Sequence, residues 1–527
     1  MATLPRTLAL SGPMGSGKST LGKLLSERFG VPLVDTDARI EAEGRTVAEL
    51  FATEGEAVFR EREAAVVAEA LAGPPCVLAL GGGVVTNPLL RRALLARTCL
   101  VTLRAPARAL VARLDAAARA ARPLLANDPI PRLEAILASR AEAYAEAHAI
   151  VDVEGRSLSS IAEEITRVSA RDAVVVALGA RTYQVEVAPG CIARLPEIVA
   201  RSRALLVSDT EIHPHVQRRI PRLDAPLHLL APGEANKTIV NVATIWDAAL
   251  AAGLDRRSLL VAIGGGVVGD LVGFAAATLL RGVRFVQVPT TLLAMVDASV
   301  GGKTAIDRPE GKNLVGAFHQ PSAVLADPEL LGTLPARELR SGLAEVVKTA
   351  LVGDRALLDD VERHAEALLA GDKAALTRVV RASVLHKARV VAEDERDQSD
   401  ARAALNFGHT IGHALEAHHG YARWTHGEAV ALGMIAALRV GVGLGVTEKA
   451  LLVRVRDLLL RLGLPVALDD EPLAEAMPRV MADKKREGDK VAYVLIRSAG
   501  EPLVQRLTPT DISTFAARNL EGSAVAP

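Results

Sequence analysis

The chain has little of what would tie it to an oxidising compartment, a nucleic acid or a membrane. Its three cysteines, Cys76, Cys99 and Cys191, are odd in number, far apart and without Cys-x-x-Cys spacing. That excludes a disulfide framework and predicts reduced cytoplasmic thiols. Aromatic residues make up 3% of the chain, too few for the stacking platforms that hold single strands. Neither sign of charge is in excess: 62 basic and 62 acidic side chains cancel, so any anion site has to be built locally. A membrane-length apolar run is also missing. The nearest stretch, 429–446, is interrupted by Arg439 and several glycines, and a bilayer span is rejected. The N-terminus leads at once into a strand-like run and leaves no room for a cleavable signal, so the expectation is a cytoplasmic protein. Half of the 527 residues are hydrophobic and 24% are charged, a globular balance at a length that calls for about three domains.

Residues 7–10 read as a buried strand, followed by Gly12-Pro13-Met14-Gly15-Ser16-Gly17-Lys18-Ser19. This is the G-x-x-x-x-G-K-[ST] phosphate loop in its strand–loop–helix setting. Backbone amides from Gly15, Ser16, Gly17 and on to Thr20 would close around phosphates, Lys18 would reach the terminal ones, and Ser19 would offer its hydroxyl to Mg²⁺. A second strand, 32–34, delivers Asp35 and Asp37 to the sheet edge where open α/β proteins bind ligands. Asp35 suits the metal's outer shell, and Asp37 is placed to hold and deprotonate an acceptor hydroxyl. Arg60 and the triplet Gly81-Gly82-Gly83 follow; each alone reads equally well as a solvated helix arginine and a simple turn. In this order the residues resemble shikimate kinase over 1–168. The resemblance implies that Asp37, Arg60, Gly82 and Arg140 hold shikimate. It also implies that Arg122 belongs to a lid over the phosphates of Mg²⁺-bound ATP; a lid that carries Arg113 and Arg119 as well suits phosphoryl transfer, which needs positive charge on the phosphates and exclusion of water.

From 173 onward strands and helices alternate. The run 204–207 ends at Asp209, 259–263 ends at Gly264-Gly265-Gly266-Val267-Val268-Gly269-Asp270, and 285–288 ends at Pro289-Thr290-Thr291. That is a nucleotide-binding α/β pattern, although the glycines do not match G-x-G-x-x-G. Pro232-Gly233-Glu234 with Lys237 adds a polar loop, and Asp297, Lys303, Lys312 and Asn313 crowd a glycine-bearing segment. Beyond 335 the pattern turns helical. Glu345 and Lys348 share a face, as do Arg402 and Asn406, and the spacing predicts one helix carrying Asn406, His409 and His413 on one side. Glu345, His409 and His426 form a ligand set for a catalytic divalent metal, with zinc preferred and a position left open. For any one histidine a buried, hydrogen-bonded ring is as good a reading; the convergence of metal, nucleotide and phosphate features argues against it.

Pro-Gly-Glu-x-x-Lys, Gly-Gly-Gly-Val-Val-Gly-Asp, Gly-Lys-Asn, Asn-Phe-Gly-His-Thr and His-Gly-Glu together resemble 3-dehydroquinate synthase over 173–520. The resemblance implies zinc, or another divalent metal such as Co²⁺, on Glu345, His409 and His426. It implies NAD⁺ on Asp209, Gly233, Glu234, Lys237, Gly266, Val267, Val268, Gly269, Asp270, Thr290 and Thr291. Lys303, Lys312 and the segment Leu330, Leu331, Gly332, Thr333 complete that set. It implies catalysis and substrate binding by Asp297, Lys303, Asn313, Lys348, Lys387, Arg402, Asn406, His413 and one or both of Lys484 and Lys485. Arg281 would reach the phosphate of a neighbouring subunit, so a homodimer follows. One departure stands out: Asp397 occupies a place where relatives often have glutamate, which puts its role in doubt.

The expected architecture is α/β throughout: a P-loop kinase domain with helices on both faces of a parallel sheet (1–168), a Rossmann-like NAD-binding domain (173–335) and a helical metal-binding domain (336–520). The implied activities are ATP-dependent phosphorylation of shikimate, and NAD- and zinc-dependent conversion of 3-deoxy-D-arabino-heptulosonate 7-phosphate to 3-dehydroquinate with loss of phosphate. A related sugar-phosphate cyclase or a polyol dehydrogenase is the alternative for the second activity, and a catalytically dead regulatory module the alternative for either. Lys387, Arg402 and Asn406 favour a carboxylated substrate, hence the synthase.

Overall fold

Short apolar strands, β1 (Leu8–Ser11), β2 (Leu33–Asp35), β3 (Val77–Ala79), β4 (Cys99–Arg104) and β5 (Ala149–Asp152), pair in parallel in the order β2-β3-β1-β4-β5. β1 and β3 are buried along their whole length, which is why they read as unbroken apolar runs. Their alternation still sorts residues by face: Leu8 and Leu10 pack with Leu21, Leu25, Ile161 and Ile165, whereas Ala9 packs with Val67, Leu78 and Leu100. The first group joins the sheet to helices α1 (Lys18–Phe29) and α4 (Leu158–Ser169), with α2 (Thr36–Glu41) and α3 (Gly55–Ala72) between them in sequence. These coordinates come from a computed structural model that describes all residues except 1–2, 43, 115–127, 201, 399, 481–485, 488–489, 519 and 521–527. Arg119, Arg122, Lys484 and Lys485 lie outside the described residues. The chain forms two compact units, Met1–Gln184 and Val185–Pro527.

The larger sheet runs β6-β7-β14-β11-β10-β8-β9, with β6 Ala173–Val176, β7 Tyr183–Val187, β8 Ala204–Asp209, β9 Leu227–Leu230, β10 Leu259–Gly264, β11 Arg284–Pro289 and β14 Ala323–Ala326. β9, β8, β10, β11 and β14 pair in parallel. The registers Val207↔Ala262 and Gly264↔Pro289 bring the carboxyl ends of β8, β10 and β11 to one edge. Helix α5 (Gly266–Thr278) starts directly after β10. The antiparallel hairpin of β12 (Lys303–Arg308) and β13 (Gly311–Phe318) presents Lys303, Lys312 and Asn313.

Helices α6 (Ala336–Gly353), α7 (Lys373–Glu393), α8 (His409–His418) and α9 (His426–Gly443) follow. The single helix expected through Asn406 is broken. Ala404–Asn406 is one tight turn, Gly408 takes φ 79°, and α8 begins at His409. A side chain at Gly408 would be strained by that φ and would meet the Val430 carbonyl at 3.0 Å, so the chain turns there and only His409 and His413 share a helical face. Arg402 and Asn406 do not lie on one α-helix either, because the short helix Asp400–Ala403 that holds Arg402 passes directly into the tight turn Ala404–Asn406. The C-terminal part is not purely helical either. β15 (Arg486–Glu487), β16 (Lys490–Ser498) and β17 (Glu501–Leu507) form an antiparallel sheet, the last two a hairpin turned at Gly500, φ 88°. The run Val491 to Ile496 is its source, a β-branched and aromatic stretch that buries too many side chains to show clean alternation.

α8, α9 and α6 meet at backbone distance. A Cβ on Gly433 of α9 would lie 1.8 Å from the Gly408 carbonyl, one on Gly412 would lie 3.0 Å from that of Ala429, and one on Gly427 would lie 2.0 Å from that of Ser341. No rotamer change relieves a clash with a carbonyl. Gly433→Ala is therefore expected to destabilise the second unit by about 3 kcal/mol, the upper end for overpacking, and to separate His409 from His426. Chemical denaturation followed by metal analysis checks both, and a variant of unchanged stability would contradict the packing.

Candidate functional site

In the first unit the phosphate loop closes on itself. The Lys18 ammonium donates to the carbonyls of Gly12 (2.8 Å) and Pro13 (3.1 Å). Gly15 and Gly17 have φ 75° and 91°, the left-handed geometry that turns successive amides inward at the start of α1. The Ser19 hydroxyl donates to Asp35 Oδ2 (2.6 Å), and Asp35 Oδ1 caps α2 through the amides of Asp37 and Ala38. Ser19 and Asp35 thus form one polar pair beside the loop, and Ser16 Oγ is buried without a hydrogen-bond partner. A cavity of about 440 Å³ opens from Gly15, Ser16, Gly17 and Thr20 toward Arg113, Val153 and Arg156.

The glycine triplet is the meeting point of the expected substrate residues. Arg140 and Tyr144 both donate to the Gly82 carbonyl at 2.7 Å. Side chains at Gly81 and Gly83 would run into Glu63, Asp37 and Arg60. Glu63, which the sequence reading passed over, is buried, bonds Arg60 at 2.7 Å and keeps Oε1 without a partner. Burial pushes its carboxyl above the usual range against the pull of Arg60. Its one sequence signal is the i,i+3 spacing from Arg60.

In the second unit the ligand atoms of His409, His413 and His426 all lie within 4.8 Å of one another. His409 Nε2 and His426 Nε2 stand 3.6 and 3.8 Å from Glu345 Oε1. Glu345 is fully buried, and Oε1 accepts no hydrogen bond. A buried carboxylate oxygen without a donor, facing two imidazoles, is the environment a divalent metal completes. The expected set and the three-histidine set therefore converge on one point. Burial, reinforced by Lys348, holds the His409 ring well below its ordinary pKa and so keeps it neutral, as a ligand must be. The Lys348 ammonium pairs with Glu345 and stands 3.9 Å from Asp297. Lys387 bonds Asp297 Oδ1 at 2.6 Å. Burial depresses Lys387 to about 8 despite Asp297.

Around this centre, Arg402 is buried and donates to the Glu395 carbonyl (2.7 Å), and Lys303 pairs with Asp397 Oδ2 (2.8 Å), which gives that residue of uncertain role a partner. At the sheet edge Asp209 accepts from the amides of Glu211 and Ile212, and Thr290 Oγ1 is buried without a partner. Lys237 lies between Asp270 (2.6 Å) and Asn313 (2.5 Å). Partial burial pushes Asp270 up to about 6 even beside that ammonium. Lys312 stands 3.6 Å from Glu234. Gly233 (φ 92°) opens the turn that carries Glu234, and Gly266, Val267, Val268 and Gly269 form the first turn of α5. Leu330 and Leu331 are buried in the turn Pro328–Thr333 and offer shape rather than hydrogen bonds. Arg281 is exposed at φ 68° after α5. Arg337 and Glu428 make a two-pronged pair (2.9 and 2.7 Å) between α6 and α9. The sequence reading also missed Glu416, a buried acid beside His426 that nothing in the sequence separates from an exposed helix glutamate. In the apolar stretch 429–446, Arg439 is buried and paired with Asp469, and no described helix is long and apolar enough to cross a membrane.

The family model for shikimate kinase matches residues 14–170, and those for the N- and C-terminal domains of 3-dehydroquinate synthase match 227–341 and 342–486. The 3-dehydroquinate synthases of Halorhodospira halophila and Caulobacter vibrioides are 45% and 46% identical over 333 and 350 residues, covering 62% and 63% of this chain and 94% of each relative. Among solved structures, 2-epi-5-epi-valiolone synthase from Streptomyces hygroscopicus with NAD⁺ and Zn²⁺ bound superposes with a TM-score of 0.59 at 30% identity, over 63% of this chain and 95% of that one. A 2-deoxy-scyllo-inosose synthase complexed with carbaglucose-6-phosphate, NAD⁺ and Co²⁺ gives 0.58 at 26%, over 66% and 99%. The chain belongs to the 3-dehydroquinate synthase family and carries a shikimate kinase domain ahead of its synthase domains.

Proposed function

We propose that the two units perform the two reactions their families are named for: transfer of the ATP γ-phosphoryl group to shikimate, and conversion of 3-deoxy-D-arabino-heptulosonate 7-phosphate to 3-dehydroquinate with release of phosphate. The observation that carries the second reading is the buried, undonated Glu345 oxygen facing two imidazoles beside the edge where β8, β10 and β11 end. We place the domain limits at 1–168, 173–335 and 336–520; the family matches cover 14–170, 227–341 and 342–486 within and across them. A cytoplasmic setting accords with three free, buried thiols.

In the kinase, Lys18 leaves the loop carbonyls to meet phosphate, Ser19 and Asp35 hold Mg²⁺, and Asp37 takes the acceptor proton while Arg60, Gly82 and Arg140 fix the acceptor. In the synthase, Glu345, His409 and His426 would hold zinc, whose Lewis acidity polarises a substrate hydroxyl. Asp209, Glu234, Lys237, Asp270, Thr290, Thr291 and Lys312 would hold NAD⁺, the hydride acceptor and donor. Lys348, Lys387, Arg402 and Asn406 neutralise and orient carboxylate and hydroxyls, and His413 stands within reach to move a proton. Lys303 and Asn313 face the phosphate end. Arg281 crosses to the site of a second copy, which makes the working form a homodimer.

A reciprocal pair of variants tests the assignment. Lys18→Ala is expected to lower shikimate phosphorylation by at least about a hundredfold, as loss of a charge-stabilising donor does, and to leave phosphate release from the sugar acid intact. His409→Ala is expected to do the reverse and to lower bound zinc by metal analysis. Crossed losses, or zinc unchanged in His409→Ala, would contradict the reading.

Lys387 also sets a pH dependence. Its folded pKa is depressed to about 8 from an ordinary 10.5, so it is charged below pH 8 and loses its proton as pH rises through 8. Synthase kcat/KM is expected to fall on that alkaline limb, and Lys387→Arg to move the limb upward, since arginine stays protonated. The stability effect has the opposite sense: between about 8 and 10.5 the unfolded chain binds more protons, so burying this group costs most below pH 8 and least above 10.5. A profile flat to pH 10 would remove Lys387 from the substrate's charge partners.

A further inference from the structure

We infer that Glu416 is a positioning residue shared by the metal and nucleotide sites, an inference that rests on the metal reading above. Its carboxylate is 4% exposed and lies in the last turn of α8, where both desolvation and the helix dipole disfavour a negative charge. It has cationic or donating groups on both sides. Oε2 lies 3.2 Å from His426 Nδ1, and Oε1 lies 3.6 Å from Lys312 Nζ.

The first contact sets the tautomer of His426. Nδ1–H donates to the carboxylate, and Nε2 is left as the lone-pair atom that faces Glu345 at 3.8 Å. His409 is held in the same way by a different group, the Phe407 carbonyl at 3.2 Å from Nδ1. Each ligand imidazole thus has its own holder, and loss of Glu416 frees only one. A carboxylate behind a metal-bound imidazole orients the ring and raises its basicity. The second contact fixes Lys312, whose ammonium also stands 3.6 Å from Glu234 on the nucleotide loop and 4.2 Å from the Tyr421 ring centroid. One carboxylate therefore holds a ligand of each site.

The test uses the full-length protein with zinc, cobalt and NAD⁺ as separate probes. Zinc affinity is measured by competition with a chromogenic chelator, the visible spectrum is recorded with Co²⁺ bound, and NAD⁺ affinity is measured by titration. Glu416→Gln keeps the shape and an acceptor but loses the charge. It is expected to weaken zinc about tenfold, at the low end for such holders, to shift the cobalt bands and to weaken NAD⁺ several-fold. Glu416→Ala is expected to weaken zinc further, with Gln as the partial rescue; if the alanine variant does not fold, the glutamine variant decides alone. Zinc affinity within twofold of wild type and unchanged cobalt bands in Glu416→Gln would overturn the role at His426, and unchanged NAD⁺ affinity would overturn the role at Lys312. If wild type and His409→Ala bind zinc equally, the metal reading itself falls and the Glu416 role falls with it, an outcome distinct from either of the others.

Discussion

The contact on which the second unit depends is the approach of α9 to the start of α8 at Gly433 and Gly408, where there is room for hydrogen and nothing larger. It fixes the distance between the helix that begins with His409 and the helix that begins with His426. The Gly427–Ser341 approach and the Arg337–Glu428 pair then fix both against α6, which carries Glu345. Gly408 and Gly427 stand next to His409 and His426 in the chain, so these backbone approaches act directly on the positions of the two histidines. Three helices that touch through glycine are the means by which a short stretch of chain assembles a ligand set from distant parts of the sequence.

The electrostatics follow from that geometry. A chain of zero net charge nonetheless places Lys348, Lys387 and Arg402 in its interior. Each keeps its place through an oxygen: Glu345 and Asp297 for Lys348, Asp297 for Lys387, and main-chain carbonyls for Arg402. Leaving any of these cations unpaired underground would cost several kcal/mol. The site is therefore built in its charged form before any substrate arrives, and an incoming carboxylate or phosphate meets cations held in place rather than drawn in from solvent. The phosphate loop does the same on a smaller scale, with Lys18 parked on two carbonyls of its own loop.

How much of this was legible depended on whether a function is written in local spacing. The phosphate loop, the strand-end Asp35 and Asp209, the glycines after β10 and the helix starts at His409 and His426 are set by the chain within a turn or two, and local spacing was enough to single these residues out. Asn406 was misplaced because helical spacing was extended across Gly408, whose positive φ ends the pattern. Glu63, Tyr144 and Glu416 went unread because their meaning is wholly tertiary: each is an ordinary helical residue until the fold brings Arg60, Gly82 or His426 against it. The β16–β17 hairpin was missed for the opposite reason, a strand so buried that it lacks the alternation by which strands are recognised.

Two chemistries on one chain pose the question of what the linkage does. The reaction product of the synthase still needs dehydration and reduction before it becomes the substrate of the kinase, so neither site has anything to pass directly to the other. The residue sets agree with that chemistry. The groups proposed for phosphoryl transfer fall between Gly15 and Arg140 and those for the synthase from Asp209 onward, and each set belongs to a different compact unit. A site that draws on one unit alone is set by that unit's own core, in the kinase the two faces of β1 and in the synthase the glycine contacts of α8 and α9. The covalent link then fixes stoichiometry, one kinase made for every synthase, and neither proposed residue set draws on the other unit.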